Sequence, residues 1–187
     1  RSVLGAEFGD DAAEVQPGQF MSTDHLRSFT HDFALMAKIS ANHALNDIWA
    51  MAAQPQAATV SITLPRMSAD LQTRTLRELM ETANDVMATA GAKIIGGHTS
   101  LGDELTIGFT VTGLAKVPVM LSGAKPGDAL ILTKPIGSGT IMAAEMEGKA
   151  KGDDVIKCLA DMTLSQATAS QILAQSHAMT DVTGFGL

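Results

Sequence analysis

Four aspartates that lie beside glycine or apolar residues are the candidates for chemistry in this chain: Asp11, Asp24, Asp47 and Asp181. A carboxylate is costly to bury unless it is paired or binds a cation. Hard cations such as Mg²⁺ prefer carboxylate oxygens and commonly bridge them to phosphate groups. Several isolated aspartates near glycine-rich segments therefore indicate a site for a metal ion and a phosphate ligand.

Asp47 is the central member of this set. Residues 33–51 are apolar on nearly every face, which predicts a buried helix. The helix is expected to close at Gln54-Pro55, because proline cannot continue a helix. An acid near the end of a buried helix needs a partner. The alternative is a partly exposed aspartate that caps the next turn, since single acids are mostly exposed.

Asp10 and Asp11 follow Gly9 in a turn, and residues 19–23 predict a strand with Asp24 at its end. Side chains alternate along an extended segment, so only one of Asp10 and Asp11 should point into a site. Adjacent acids in loops are usually only solvated, which remains the alternative here.

Two glycine-rich segments could hold an anion. A short strand at 93–95 runs into Gly96, Gly97, His98 and Thr99, where backbone amides can approach a phosphate closely. His98 is a possible ligand or base, although a lone histidine in a loop is more often neither. The segment at 137–139 precedes a predicted helix over 140–146. It lacks the P-loop spacing, and a plain strand–helix connection explains it equally well.

The remaining pattern predicts the elements that position these residues. Strands are expected at 57–64, 105–115 and 129–133, and a helix capped by Ser68 runs to Ala90 before Gly91. A last helix is expected at 155–175, and its Cys158 should be inert. The sequence pattern changes near residues 117–121, which predicts one domain over residues 1–118 and the start of a second domain at 119–187.

Composition excludes several classes of function. The net charge of −7 and the lack of a basic stripe argue against a nucleic-acid surface. No apolar run is long enough for a membrane span. A single cysteine excludes an internal disulfide framework and favours the cytoplasm. The chain begins with Arg1 and ends within a motif, so we expect an internal piece of a longer protein.

Six segments carry a resemblance to a known family. GDDAA, STDH, ANHALNDIWAMAAQP, AGAKIIGGHTS, AKPGDALILTKPIGSG and TDVTGFGL occur in the order and approximate spacing of selenophosphate synthetase, also called selenide, water dikinase. That family belongs to the aminoimidazole-ribonucleotide-synthetase-like ATP-binding superfamily. The first three segments are shared with relatives such as thiamine-monophosphate kinase and a hydrogenase maturation factor, whereas GGHT, LTKPIGSG and TDVTGFGL are more specific. The resemblance covers nearly the whole chain.

The resemblance implies an α+β protein of two domains, with a two-layer first domain whose sheet pairs across a homodimer. ATP and selenide would be the substrates, with Mg²⁺ and, optionally, K⁺ as cofactors. Selenide, ATP and water would give selenophosphate, phosphate and AMP. Asp11, Asp47 and Asp181 match the acids that hold Mg²⁺. Asp24 also matches one of these acids and is expected to contribute to nucleotide binding, and Gly96, Gly97, His98 and Thr99 match the nucleotide-binding segment.

The sequence also departs from the family pattern. His43 stands where asparagine is usual, Asn46 where serine is usual, and Ala52 where glycine is usual. The family's reactive cysteine or selenocysteine and its lysine are expected upstream of residue 1. This chain alone is therefore expected to have no catalytic activity. Two rival hypotheses remain: another kinase of the superfamily, such as thiamine-monophosphate kinase, and a nucleotide-binding module without catalysis.

Overall fold

The computed structural model describes residues 10–184, and it contains five strands and five α-helices in that range. In chain order these are β1 (Ala13–Gln16), β2 (Gln19–Arg27), α1 (Phe33–Ala50), β3 (Gln54–Pro65), α2 (Ala69–Thr89), β4 (Lys93–Gly102), β5 (Thr106–Leu114), α3 (Ser138–Met146), α4 (Gly152–Met162) and α5 (Ala167–Leu173). The predicted α+β class is confirmed, with one sheet covered on one face by helices. None of the described helices is both long and apolar enough to cross a membrane.

The five strands form one sheet in the order β1-β2-β5-β3-β4. Neighbouring strands are antiparallel except β3 and β4, which are parallel because α2 connects them on the helical face. The buried side chains of β3 and β5 alternate with polar ones, so one face of the sheet packs on α1 and α2. The main apolar side chains of that layer are Phe20, Ile62, Ile107, Phe109 and Val111.

Helix α1 is buried along its length, as its apolar composition predicts. The side chain of Asp32 caps its first turn by accepting a hydrogen bond from the amide of Leu35 at 2.8 Å. The helix ends at Ala50, one residue before the predicted end at residue 51. Ala52 then adopts a left-handed backbone with φ of 53°.

Helix α2 also follows its prediction. Ser68 caps it by accepting from the amide of Leu71, and Gly91 takes the left-handed position after its last turn. The amides of Gly91 and Ala92 donate to the carbonyls of Ala88 and Met87, which is the Schellman pattern. The apolar stripe of α2 packs inward through Leu79, Ala83 and Met87.

The strands β2 and β3 are longer than predicted. β2 continues to Arg27 because β5 pairs with it over that length, so Asp24 lies within the strand. β3 begins at Gln54 and includes Pro55. Proline is tolerated there because the register against β5 is irregular at this point and β4 pairs only from Ala57 onward.

The structure also corrects two predictions in the last third of the chain. Residues 129–133 form no strand within the described part, since no strand of residues 10–184 pairs with them. The predicted helix at 155–175 is two helices, α4 and α5. Thr163 and Ser165 interrupt it by bonding locally to the backbone of Ala160 and Ala167. Cys158 is buried in α4, and burial raises its pKa, as expected of an inert thiol.

Candidate metal centre

Three of the predicted carboxylates meet at one point of the molecule. Asp11, Asp47 and Asp181 each offer an oxygen, and these oxygens lie within 4.8 Å of one another. Asp11 comes from the turn before β1, Asp47 from the last turns of α1, and Asp181 from the segment after α5. Residues far apart in sequence therefore converge on one cluster, which we call the carboxylate triad.

Two hydroxyl groups orient the triad. The Ser22 hydroxyl on β2 donates a short hydrogen bond to Oδ2 of Asp47. The Thr180 hydroxyl donates to Oδ1 of Asp11 at 2.9 Å. Each of these acids thus keeps one oxygen that is not held by the hydroxyl.

The adjacent acids Asp10 and Asp11 point in different directions, as the sequence predicts. Oδ1 of Asp10 accepts a hydrogen bond from the amide of Leu121 at 3.1 Å, while Asp11 joins the triad. Asp10 therefore has a structural role in fixing the chain after β5.

Burial and like charge together raise the pKa values of the triad. Burial is the main cause for Asp47, and the charges of Asp24, Asp181 and Asp11 add to it, which raises the pKa of Asp47 to about 8 against the opposing Ser22 hydrogen bond. Burial, with the charges of Asp11 and Asp24, raises the pKa of Asp181 to about 7. Burial also raises the pKa of Asp11, although its bond from Thr180 opposes this. The triad therefore holds protons near neutral pH that a cation would displace.

Asp24 lies beside the triad and has a partner of its own. Its Oδ1 is 3.6 Å from Nε2 of His43, which lies one helical turn before Asp47 on α1. Ser22 and Asp24 are two residues apart on β2 and face α1, so the strand contacts the helix at two successive points: Ser22 with Asp47, and Asp24 with His43. Oδ2 of Asp24 is buried without a hydrogen-bond partner.

The triad fits a hard divalent cation. Its donors are carboxylate oxygens, the ligand type that Mg²⁺ prefers. Oδ2 of Asp11 is buried without a hydrogen-bond partner, and no salt bridge within residues 10–184 joins Asp11, Asp47 or Asp181 to a lysine or arginine. Partly buried acids without a basic partner are expected to bind a metal or to be protonated.

The glycine-rich segment from Gly96 to Thr99 is placed elsewhere. It belongs to β4, at the edge of the sheet, so the prediction of a loop after a short strand was wrong. The reason is the parallel register with β3, which pairs Gly97 with Val60 and continues to Gly102. A Cβ on Gly97 would lie 2.1 Å from the carbonyl oxygen of Val60, so close packing requires this glycine.

Three residues of the site were not singled out as ligands or positioning groups from the sequence: Ser22, Thr180 and His43. Ser22 could have been found because it is two residues before Asp24 and thus on the same face of a strand. Thr180 adjoins Asp181, but no spacing rule connects it with Asp11, which lies 169 residues earlier. His43 is one turn from Asp47, a relation that becomes informative only once β2 is placed beside α1.

Comparison with known proteins assigns the chain to a family. The model for the N-terminal domain of AIR synthase related proteins matches residues 9–115, more than half of the chain. The chain belongs to the AIR synthase related family. The model for the C-terminal domain of this family matches residues 125–187. The triad thus takes Asp11 and Asp47 from the first matched segment and Asp181 from the second.

Two curated relatives are both named selenide, water dikinase. The chain is 38% identical to the selenide, water dikinase of Trichlorobacter lovleyi over 100% of its own length and 56% of that protein. It is 34% identical to the selenide, water dikinase of Geobacter metallireducens over 99% of its length and 56% of that protein. The recognised resemblance is confirmed. The chain spans about half the length of the curated relatives it matches.

A solved structure shows the same fold. The AaThiL structure, complexed with AMPPCP and TMP, superposes with a TM-score of 0.79, covering 98% of this chain and 61% of that one. The sequence identity is 17%, so this likeness concerns the fold alone.

Proposed function

We propose that the intact protein synthesises selenophosphate from selenide, ATP and water, releasing AMP and phosphate. The observation that carries the proposal is the convergence of Asp11, Asp47 and Asp181 in a chain whose curated relatives are named selenide, water dikinase. The sequence identities of 34% and 38% to these relatives, over essentially the whole chain, also support selenophosphate synthesis.

In this proposal the triad holds Mg²⁺. When bound, the ion would neutralise phosphate charge and orient the nucleotide. The protein's own groups have distinct tasks. Ser22 fixes one oxygen of Asp47 and Thr180 fixes one oxygen of Asp11, so that the remaining oxygens face a common point. Asp24, held near His43, faces the same region with an oxygen that has no partner. The proposal also includes K⁺ as a second cofactor.

We propose that Gly96, Gly97, His98 and Thr99 contact the nucleotide, as the resemblance implies. Their strand β4 is separated from β2 by β5 and β3, which amounts to about 14 Å across the sheet. A nucleotide that reached both Asp24 and this segment of one protomer would have to span that distance. In the homodimer that we also propose, a second copy could supply the segment instead.

The proposed dimer is supported by the open side of the sheet. Thr23, Thr59, Thr110 and Ser61 line this face together with His25 and His98, with no helix of residues 10–184 covering it. The proposal also includes two domains, residues 1–118 and 119–187, which the two family models support, and a cytoplasmic location, which the lone cysteine supports.

The alternative of a thiamine-monophosphate kinase is not favoured. The likeness to ThiL is one of fold at 17% identity, whereas the curated relatives named selenide, water dikinase reach 38%. A nucleotide-binding module without catalysis is the remaining alternative, and it predicts Mg-dependent ATP binding without turnover.

Phosphorus NMR of the intact protein with ATP, Mg²⁺ and selenide tests the proposal. AMP, phosphate and a selenium-coupled phosphorus signal would support it. ADP formed without selenide would overturn it in favour of another kinase, and ATP binding without turnover would favour the module. The 187-residue chain alone is expected to give no AMP, and selenide-dependent AMP from it would contradict the expectation that the reactive residue lies upstream.

A further inference from the structure

We propose that Ser170 and Asn42 are positioning residues that set the distance between Asp181 and Asp47. Both side chains are more than nine-tenths buried, and both form hydrogen bonds between α1 and the region of α4 and α5. Neither touches the triad. This inference rests on the metal site of the proposed function.

The first bond joins α5 to the end of α1. The Ser170 hydroxyl donates to the carbonyl oxygen of Trp49 at 2.6 Å. Trp49 lies two residues after Asp47 on α1, and Ser170 lies eleven residues before Asp181 in the chain. The carbonyl of Trp49 also accepts from the amide of Ala52 at 2.9 Å, so the Ser170 hydroxyl is the second donor to this oxygen.

The second bond acts two turns earlier on the same side of α1. The Asn42 side-chain amide donates to the carbonyl oxygen of Lys38 at 3.0 Å and to that of Thr163, in the turn between α4 and α5, at 3.1 Å. Asn42 and Trp49 are seven residues apart, so they lie on one face of the helix. Two bonds spaced along this face fix both the position and the direction of α5 against α1.

The segment between α5 and Asp181 is itself held in place. Nδ1 of His177 contacts Oδ1 of Asp128 at 2.8 Å, and the backbone of His177 packs directly on Gly123. Thr180 then bonds to Asp11. The bond of Ser170 to α1 fixes α5 at one end of this segment, and the bond of Thr180 to Asp11 fixes the other end beside Asp181.

The test measures Mg²⁺ affinity by isothermal calorimetry at pH 8 on the intact protein, at a temperature where circular dichroism shows every variant folded. Ser170→Ala and Asn42→Ala are expected to weaken binding by about 2- to 30-fold, the range of coupling through positioning residues. Ser170→Thr, which keeps a hydroxyl, should recover part of the loss. Ile62→Val is the matched control, since it destabilises the core by about 1 kcal/mol far from these bonds.

Wild-type affinity in Ser170→Ala and Asn42→Ala would overturn the inference, as would an equal loss in Ile62→Val. If the wild-type chain binds no Mg²⁺, the metal site of the proposed function fails. Hydrogen exchange of residues 174–184 then decides the positioning role: faster exchange in Ser170→Ala than in Ile62→Val supports it, and unchanged exchange overturns it.

Discussion

Proton release on Mg²⁺ binding should report directly on the carboxylate triad. The pKa of Asp47 is raised to about 8 and that of Asp181 to about 7. At pH 7 Asp47 would be about nine-tenths protonated and Asp181 about half protonated. A cation that requires both carboxylates ionised would therefore release about 1.4 protons at pH 7 and about 0.1 at pH 9.

The same protons compete with the metal. Apparent Mg²⁺ affinity should rise about 10-fold between pH 7 and pH 8, which corresponds to about 1.4 kcal/mol. Calorimetry in two buffers of different ionisation enthalpy measures both the affinity and the proton release. Asp85→Asn on the exposed face of α2 is the control and should leave both unchanged. Asp47→Asn should bind Mg²⁺ much more weakly at both pH values.

Equal affinity at pH 7 and pH 8, with no proton release, would refute this reasoning. It would mean that the carboxylates are already ionised in the metal-free chain, so that burial and mutual repulsion do not raise their pKa values. Tight binding by Asp47→Asn would refute the assignment of the ligands instead.

Three further predictions concern stability. With EDTA present, Asp47 and Asp181 of the folded chain keep protons that the unfolded chain releases above about pH 4, because their pKa values are raised to about 8 and about 7. The urea midpoint should therefore fall as the pH rises from 5 through 7 and 8. Asp47→Asn should make this fall smaller. Ala52→Gly should stabilise the chain by about 1 kcal/mol, because Ala52 has a left-handed backbone. Glycine occupies the corresponding position after α2 (Gly91) and after α3 (Gly148). An unchanged thermal midpoint would contradict this prediction. Gly97→Ala should lower the free energy of unfolding by about 1–3 kcal/mol, because the added Cβ would clash with the Val60 carbonyl. Gly96→Ala should change it by no more than about 0.5 kcal/mol, because the space around Gly96 is open. Equal urea midpoints for the two variants would exclude the packing explanation.

The sequence predicted best where one local signal dominates. The all-round apolar pattern of residues 33–51 identified α1, and the capping serine and terminal glycine delimited α2. The acids were recognisable because a carboxylate among apolar residues needs a partner. That Asp11, Asp47 and Asp181 meet was implied by the resemblance to a family, whereas their spacing in the chain carries no such information.

The failures occurred where a tertiary contact overrides the local signal. Pro55 and Gly96-Gly97 look like breakers, yet both lie in strands because the register between β3, β4 and β5 accommodates them. The split between α4 and α5 depends on local hydroxyl bonds at Thr163 and Ser165, which a helical pattern does not reveal. Left-handed Ala52 could be suspected from its place after a helix and from the glycine that is usual at this position in the family.

The wide separation of the triad in the chain has a consequence for when the site can form. Thr180 and Asp11 are hydrogen-bonded although they lie 169 residues apart in the chain, and Asp181 adjoins that bond. Closing so long a segment is entropically costly, and contacts of this range form late in folding. A cation held between Asp11 and Asp181 would act as a reversible cross-link of the kind a disulfide provides. During synthesis, the sheet with α1 and α2 can be completed well before Asp181 leaves the ribosome, so metal capture by the triad would follow formation of the sheet.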